Sequence, residues 1–186
     1  MEHQFRQQPD QPVPSTGLHQ TALLEPRLLM ACSPTAQEEQ LLFLTNALRA
    51  DPAAMLTAML DVSVEPPRSS DGDIDAGVRF FNVDGQVLKQ QWDQLVPAGP
   101  LAFNETLCDA AELHNQQIIA ADEQSHQVTG EPALGQRVTN AGYTFSATAE
   151  NIFAFAKSPF EAFAVLAIDW GQTVSGIQQP PGLAST

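Results

Sequence analysis

Leu41, Leu44 and Leu48 recur at helical intervals, three and then four residues apart, and fall on one face of a helix. Thr35-Ala36-Gln37-Glu38 precedes them with the spacing of a capping box, so the pattern predicts a helix starting at Thr35. Asp51-Pro52 ends it and caps a second helix through Leu56 and Leu60, because proline suits a first helical turn and disfavours helix just before itself. Residues 61–77 are polar and predict a loop, and residues 78–95 carry a weaker helical pattern. The strongest helix has Asn104 as N-cap and Leu107, Ala111, His114, Ile118 and Ala121 along one face. A short helix over residues 134–140 runs to Gly142, a residue suited to a left-handed cap. Residues 150–156 set Ile152, Ala154 and Ala156 against Phe153 and Phe155, an alternation that predicts a strand. Ser158-Pro159-Phe160-Glu161 opens a last helix through Trp170, and residues 171–186 predict loop.

Composition changes this picture at the ends and on the surface. Residues 1–22 are rich in Gln, Pro, Ser and His, too poor in apolar groups to offset the entropy of ordering. The expected organisation is a disordered tail over residues 1–34, interrupted by the apolar cluster Leu24-Glu25-Pro26-Arg27-Leu28-Leu29-Met30-Ala31, and one domain over 35–186. Eight Lys+Arg against 22 Asp+Glu give a formal charge of -14, which repels phosphate backbones and argues against nucleic-acid binding. Two cysteines, Cys32 and Cys108, make no disulfide framework. The chain has no run long and apolar enough for a transmembrane segment, and its first residues lack the pattern of an ordinary secretory signal.

Few residues are placed to carry chemistry. Asp71, Asp73 and Asp75 occupy the first, third and fifth positions of a calcium loop, but Ala76 stands where the turn glycine belongs and Asn82 where a bidentate Glu belongs. A solvated acidic loop is the better reading. His3 and His19 lie in the tail, and His114 shares the apolar face of its helix, where a hydrogen-bonded core residue is commoner than a ligand. His126 has a candidate partner in Glu150, since an imidazole and a carboxylate can share a metal or act as base and orienter, although two groups do not complete a four-coordinate site.

The order of several short elements resembles a bacterial domain of the CAP superfamily, that of the cysteine-rich secretory proteins, antigen 5 and plant pathogenesis-related proteins, also called SCP domains. They are Asn46-Ala47-Leu48-Arg49, Pro100-Leu101-Ala102-Phe103-Asn104, Ala110-Ala111-Glu112-Leu113-His114, Ser125-His126, Arg137, Ala141-Gly142-Tyr143, Ala149-Glu150-Asn151-Ile152 and Asp169-Trp170-Gly171. The match spans residues 36–183. Separately, residues 24–31 resemble the LEPR-XLL segment near the start of large surface or secreted bacterial proteins.

The resemblance implies an α+β fold, a CAP-like α-β-α sandwich with an antiparallel sheet between helical layers and a cleft lined by a His/Glu/Glu/His tetrad. In that scheme His126 is the first histidine, Glu150 the acid of the Glu-Asn element, Asp169 the nearer counterpart of the helical acid, and His114 and Asn151 support them. In some members the two histidines hold a divalent ion, usually zinc. Here Pro180-Pro181-Gly182 leads to Leu183 where the second histidine would stand, so His126 is the one histidine ligand and zinc would be held weakly. The last strands should follow that position, which predicts an incomplete, C-terminally truncated domain that is marginally stable or aggregation-prone. The expected function is a secreted or cell-surface binding module, non-catalytic, for a small apolar ligand, a surface polysaccharide or a protein partner. A metal-dependent hydrolase and an inactive truncated fragment are the alternatives.

Overall fold

The computed structural model describes residues 33–170 and the backbone of 173–174 and 177–178. The LEPR-XLL-like segment, His3, His19, Cys32 and Leu183 lie outside the described residues.

Most of the helix starts follow the predicted caps. Helix α1 (Ala36–Ala50) begins with a complete capping box, in which the Glu38 carboxylate accepts from the Thr35 N–H at 2.6 Å and the Thr35 hydroxyl accepts from the Glu38 N–H at 3.3 Å. Asp51 accepts from the Ala54 N–H to start α2 (Pro52–Met59). Asn104 caps α5 (Glu105–Ala121), and Ser158 with Pro159 opens α7 (Pro159–Ile168). The helix expected over 134–140 is α6 (Leu134–Asn140), followed by Gly142 at φ 96°.

Two stretches differ from their patterns. The loop expected over 61–77 turns helical at α3 (Gly72–Phe80), because the Asp71 carboxylate accepts from both Asp73 and Ile74 N–H. The weak helix over 78–95 is interrupted: Asn82 takes a left-handed φ of 50°, the Val83 N–H returns to the Val78 carbonyl at 2.9 Å, and Asp84 caps a new helix, α4 (Gly85–Trp92). The three aspartates of the calcium-like stretch therefore do not converge. Asp71 caps α3, Asp73 pairs with Lys157, and Asp75 accepts from Arg68 and the Ser69 N–H.

The sandwich is overturned. Among the described residues seven helices form the architecture, and strand pairing is limited to the antiparallel β1 (Thr173–Val174) and β2 (Ile177–Gln178), inside the stretch expected to be loop, and one isolated bridge between Asp61 and Arg68. Among the described residues no sheet lies between helical layers. The strand predicted over 150–156 is irregular and has no strand beside it among the described residues, and Phe155 sits at φ 71°, outside β geometry, and is 93% exposed. An extended run without a ladder must satisfy its backbone otherwise. The Gln124 amide does this in part, accepting from the Ala154 N–H at 3.0 Å and donating to the Ile152 carbonyl at 3.5 Å.

The main core packs α1, α2, α3, α4 and α7 around Leu56, Met59, Ile74, Val78, Leu88 and Ile168. Trp92 closes one end, its indole N–H donating to the Pro52 carbonyl at 2.6 Å. Helices α5 and α6 pack on each other apart from this core, with Ala110, Val128 and Val138 buried around two polar residues, His114 and Arg137. The buried positions of α5 are Ala110 and His114, flanked by half-buried Leu107 and Ile118, whereas Ala111 and Ala121 of the expected face are exposed. A main-chain joint ties this layer to α1. The Asn46 amide donates to the Leu101 carbonyl at 3.0 Å and accepts from its N–H at 2.7 Å, and Arg49 Nε donates to the Gly99 carbonyl at 2.7 Å. Among the described residues no helix is long and apolar enough to cross a membrane.

Candidate functional site

The α5–α6 layer is organised around a charged cluster. His114 Nδ1 lies 2.7 Å from Glu131 Oε1, and its Nε2 is 3.6 Å from Glu150 Oε1, too far for a hydrogen bond. Glu150 Oε1 also meets His126 Nδ1 at 3.1 Å. Arg137, from α6, joins the two acids: its guanidinium lies 3.3 Å from Glu131 Oε2, donates to Glu150 Oε2 at 2.5 Å, and donates to the His126 carbonyl at 2.9 Å. The side chains of His114, Glu131 and Arg137 are almost fully buried, Glu150 is largely so, and His126 is 67% exposed.

Buried ions persist only when paired, and one guanidinium bridging two carboxylates meets that need. Burial pushes the Glu131 carboxyl up, but the His114 hydrogen bond, the Val128 N–H and the nearby Arg137 outweigh it and hold the group below its ordinary value. Both Glu150 oxygens are engaged, which leaves it poorly disposed to act as a general base. Ser125 is committed to a local turn, donating to the Gln127 carbonyl and accepting from its N–H.

His126 and Glu150 open onto a cleft of about 820 Å³ between this layer and the main core. Asn151, Ile152 and Phe153 line one wall, while Asp73, Gly77 and Phe81 from the α3 region and Glu161, Leu166, Asp169 and Trp170 from the α7 region line the other. The structure thus brings His126, Glu150, Asn151 and Asp169 to one cleft. His114 does not line it and stands behind Glu150. Asp169 forms no ion pair with the His126–Glu150 pair; it ends α7 in a left-handed conformation, φ 57° and ψ 43°, and burial raises its carboxyl above the ordinary value. Glu161 accepts from the Lys157 N–H, one residue before the N-cap that capping-box spacing predicts.

Among the described residues no group of three or more His, Cys, Asp or Glu is placed to hold a metal ion; His126 and Glu150 offer two donors. Sequence reasoning missed Glu131 and the pairing role of Arg137. Arg137 carried a usable signal, one of eight Lys+Arg residues and set beside apolar Leu134 and Val138. Glu131 carried none, because its partners lie 17 residues back and six on, across turns that periodicity does not register. Compared with protein-family models, curated proteins and solved structures, the chain matches none.

Proposed function

We propose that the chain is a non-catalytic binding module related to the CAP superfamily and belonging to an exported bacterial protein, and that the cleft beside His126 and Glu150 holds a small ligand with an apolar part. One observation carries this reading: the cleft brings the imidazole of His126 and the carboxylates of Glu150 and Asp169 beside Phe81, Ile152, Phe153, Leu166 and Trp170. Pockets that combine an apolar lining with a few convergent polar groups are the usual form of small-molecule sites. The relation to the superfamily is supported by the meeting in space of elements that resemble its motifs. Asn46 and Arg49 tether the segment before α5, and His114, His126, Arg137 and Glu150 form one cluster. The exported setting rests on the resemblances alone.

Uptake of a neutral apolar dye such as N-phenyl-1-naphthylamine tests the cleft. Wild-type protein is expected to enhance its fluorescence at a saturable site, and Leu166→Arg, which fills the cleft with a cation, abolishes it. Enhancement that survives the substitution refutes the reading. Zinc, with two donors to hold it, is expected to bind weakly in calorimetry and not at all in His126→Ala.

A further inference from the structure

Asp169 breaks two local rules at once. Its carboxylate stands at the C-terminus of α7, where unsatisfied carbonyls already form the negative end of the helix dipole. Its side chain is partly buried without a hydrogen bond or ion pair among the described residues, and the desolvation raises its carboxyl above the ordinary value. The other carboxylates of the cleft are engaged: Asp73 by Lys157, Glu150 by Arg137 and His126, Glu161 by the Lys157 N–H. Costs that bring no structural return mark functional positions.

The surroundings of Asp169 suit a positive charge on an apolar body. Trp170 follows it on the cleft wall, its indole seated so closely over Gly77 that a Cβ there would lie 2.8 Å from Cζ2. An indole face attracts cations, and so do helix C-terminal carbonyls. Phe81 and Leu166 continue the wall with apolar surface.

We infer that the cleft selects an organic cation, a protonated amine or quaternary ammonium carried on an apolar body, docked at the C-terminal end of α7 between Asp169 and Trp170. The inference rests on the cleft being a binding site. The ammonium supplies the partner that Asp169 lacks among the described residues, and the ring and aliphatic wall take the carbon skeleton.

Three probes of one skeleton, phenylbutylamine, phenylbutanol and phenylbutyrate, test it by calorimetry on the full chain. The amine binds about tenfold more tightly than the alcohol, the size expected of one partly desolvated ion pair with a cation–ring contact, and the anion binds weakest. Asp169→Asn lowers amine affinity to about that of the alcohol. Asparagine tolerates the left-handed conformation and carries no charge, so this variant folds at least as stably as wild type. Amine affinity also declines as acid protonates Asp169. Equal binding of amine and alcohol, or an amine indifferent to Asp169→Asn, overturns the inference while the cleft stands; if none of the three binds, the cleft reading itself falls.

Discussion

Replacing Arg137 with methionine keeps the apolar length of the side chain and removes the guanidinium. Two acids lose their shared cation: Glu131, nearly buried, and Glu150, largely buried. Glu131 retains His114 and Glu150 retains His126, so the carboxylates are weakened rather than stranded. Breaking a buried ion pair from one side costs about 3–5 kcal/mol, against a total stability for an ordinary domain of about 5–15 kcal/mol. At about 2–4 °C per kcal/mol for a chain of this size, the melting temperature drops by roughly 6–20 °C. Calorimetric melting at neutral pH measures the loss. The same substitution paired with Glu131→Gln tests the cause, since neutralising one acid should recover part of the penalty through a non-additivity of about 0.5–3 kcal/mol. Acid provides a second check. The Glu131 carboxyl is held below its ordinary 4.5, so its stabilising contribution is complete above that value and disappears as pH falls through the lower folded value. The gap between wild type and Arg137→Met therefore narrows below pH 4.5. A variant within about 1 kcal/mol of wild type at neutral pH would refute the view that Arg137 neutralises the cluster.

Other substitutions probe the remaining links. Asn46→Ala leaves the Leu101 N–H and carbonyl without their amide partner and is expected to cost about 1–2 kcal/mol by denaturant titration, with faster hydrogen exchange at Leu101. Gly77→Ala gains about 0.5–1 kcal/mol of helix preference, but the new Cβ collides with Trp170, so stability changes little while the Trp170 indole signal moves in a nitrogen-resolved NMR spectrum and that of Trp92 stays. Asp169→Asn raises stability near neutral pH, because a carboxyl whose folded value is raised above 3.8 destabilises the fold as pH climbs through that interval; urea melts of the two proteins should diverge as pH increases.

The helix starts were legible because each cap is a local contract between a side chain and N–H groups within three residues, as at Thr35, Asp51, Asn104 and Ser158. Asp71 makes the same contract inside a stretch whose acidic composition suggests loop, so composition concealed it, and Asp84 makes it inside a weak helical pattern that hid the break at Asn82. The expected sheet failed for the opposite reason. Alternation at 150–156 predicts which side chains face which way once a neighbouring strand exists, and cannot supply that neighbour. Of the cleft, His126, Glu150, Asn151 and Asp169 were nameable from short elements, whereas the Glu131–Arg137 pairing depends on how α5 and α6 stack, a relation with no sequence period.

The joint at Asn46 has a consequence for how the chain can vary. Its amide reads only main-chain groups of Leu101, donating to one and accepting from the other, and Arg49 likewise addresses the Gly99 carbonyl. Recognition of this kind ignores the identity of the residue recognised. A saturation library would therefore be lopsided, with position 101, whose side chain is 48% exposed, accepting most replacements, while position 46 admits almost none, because aspartate loses the donor and glutamine overreaches.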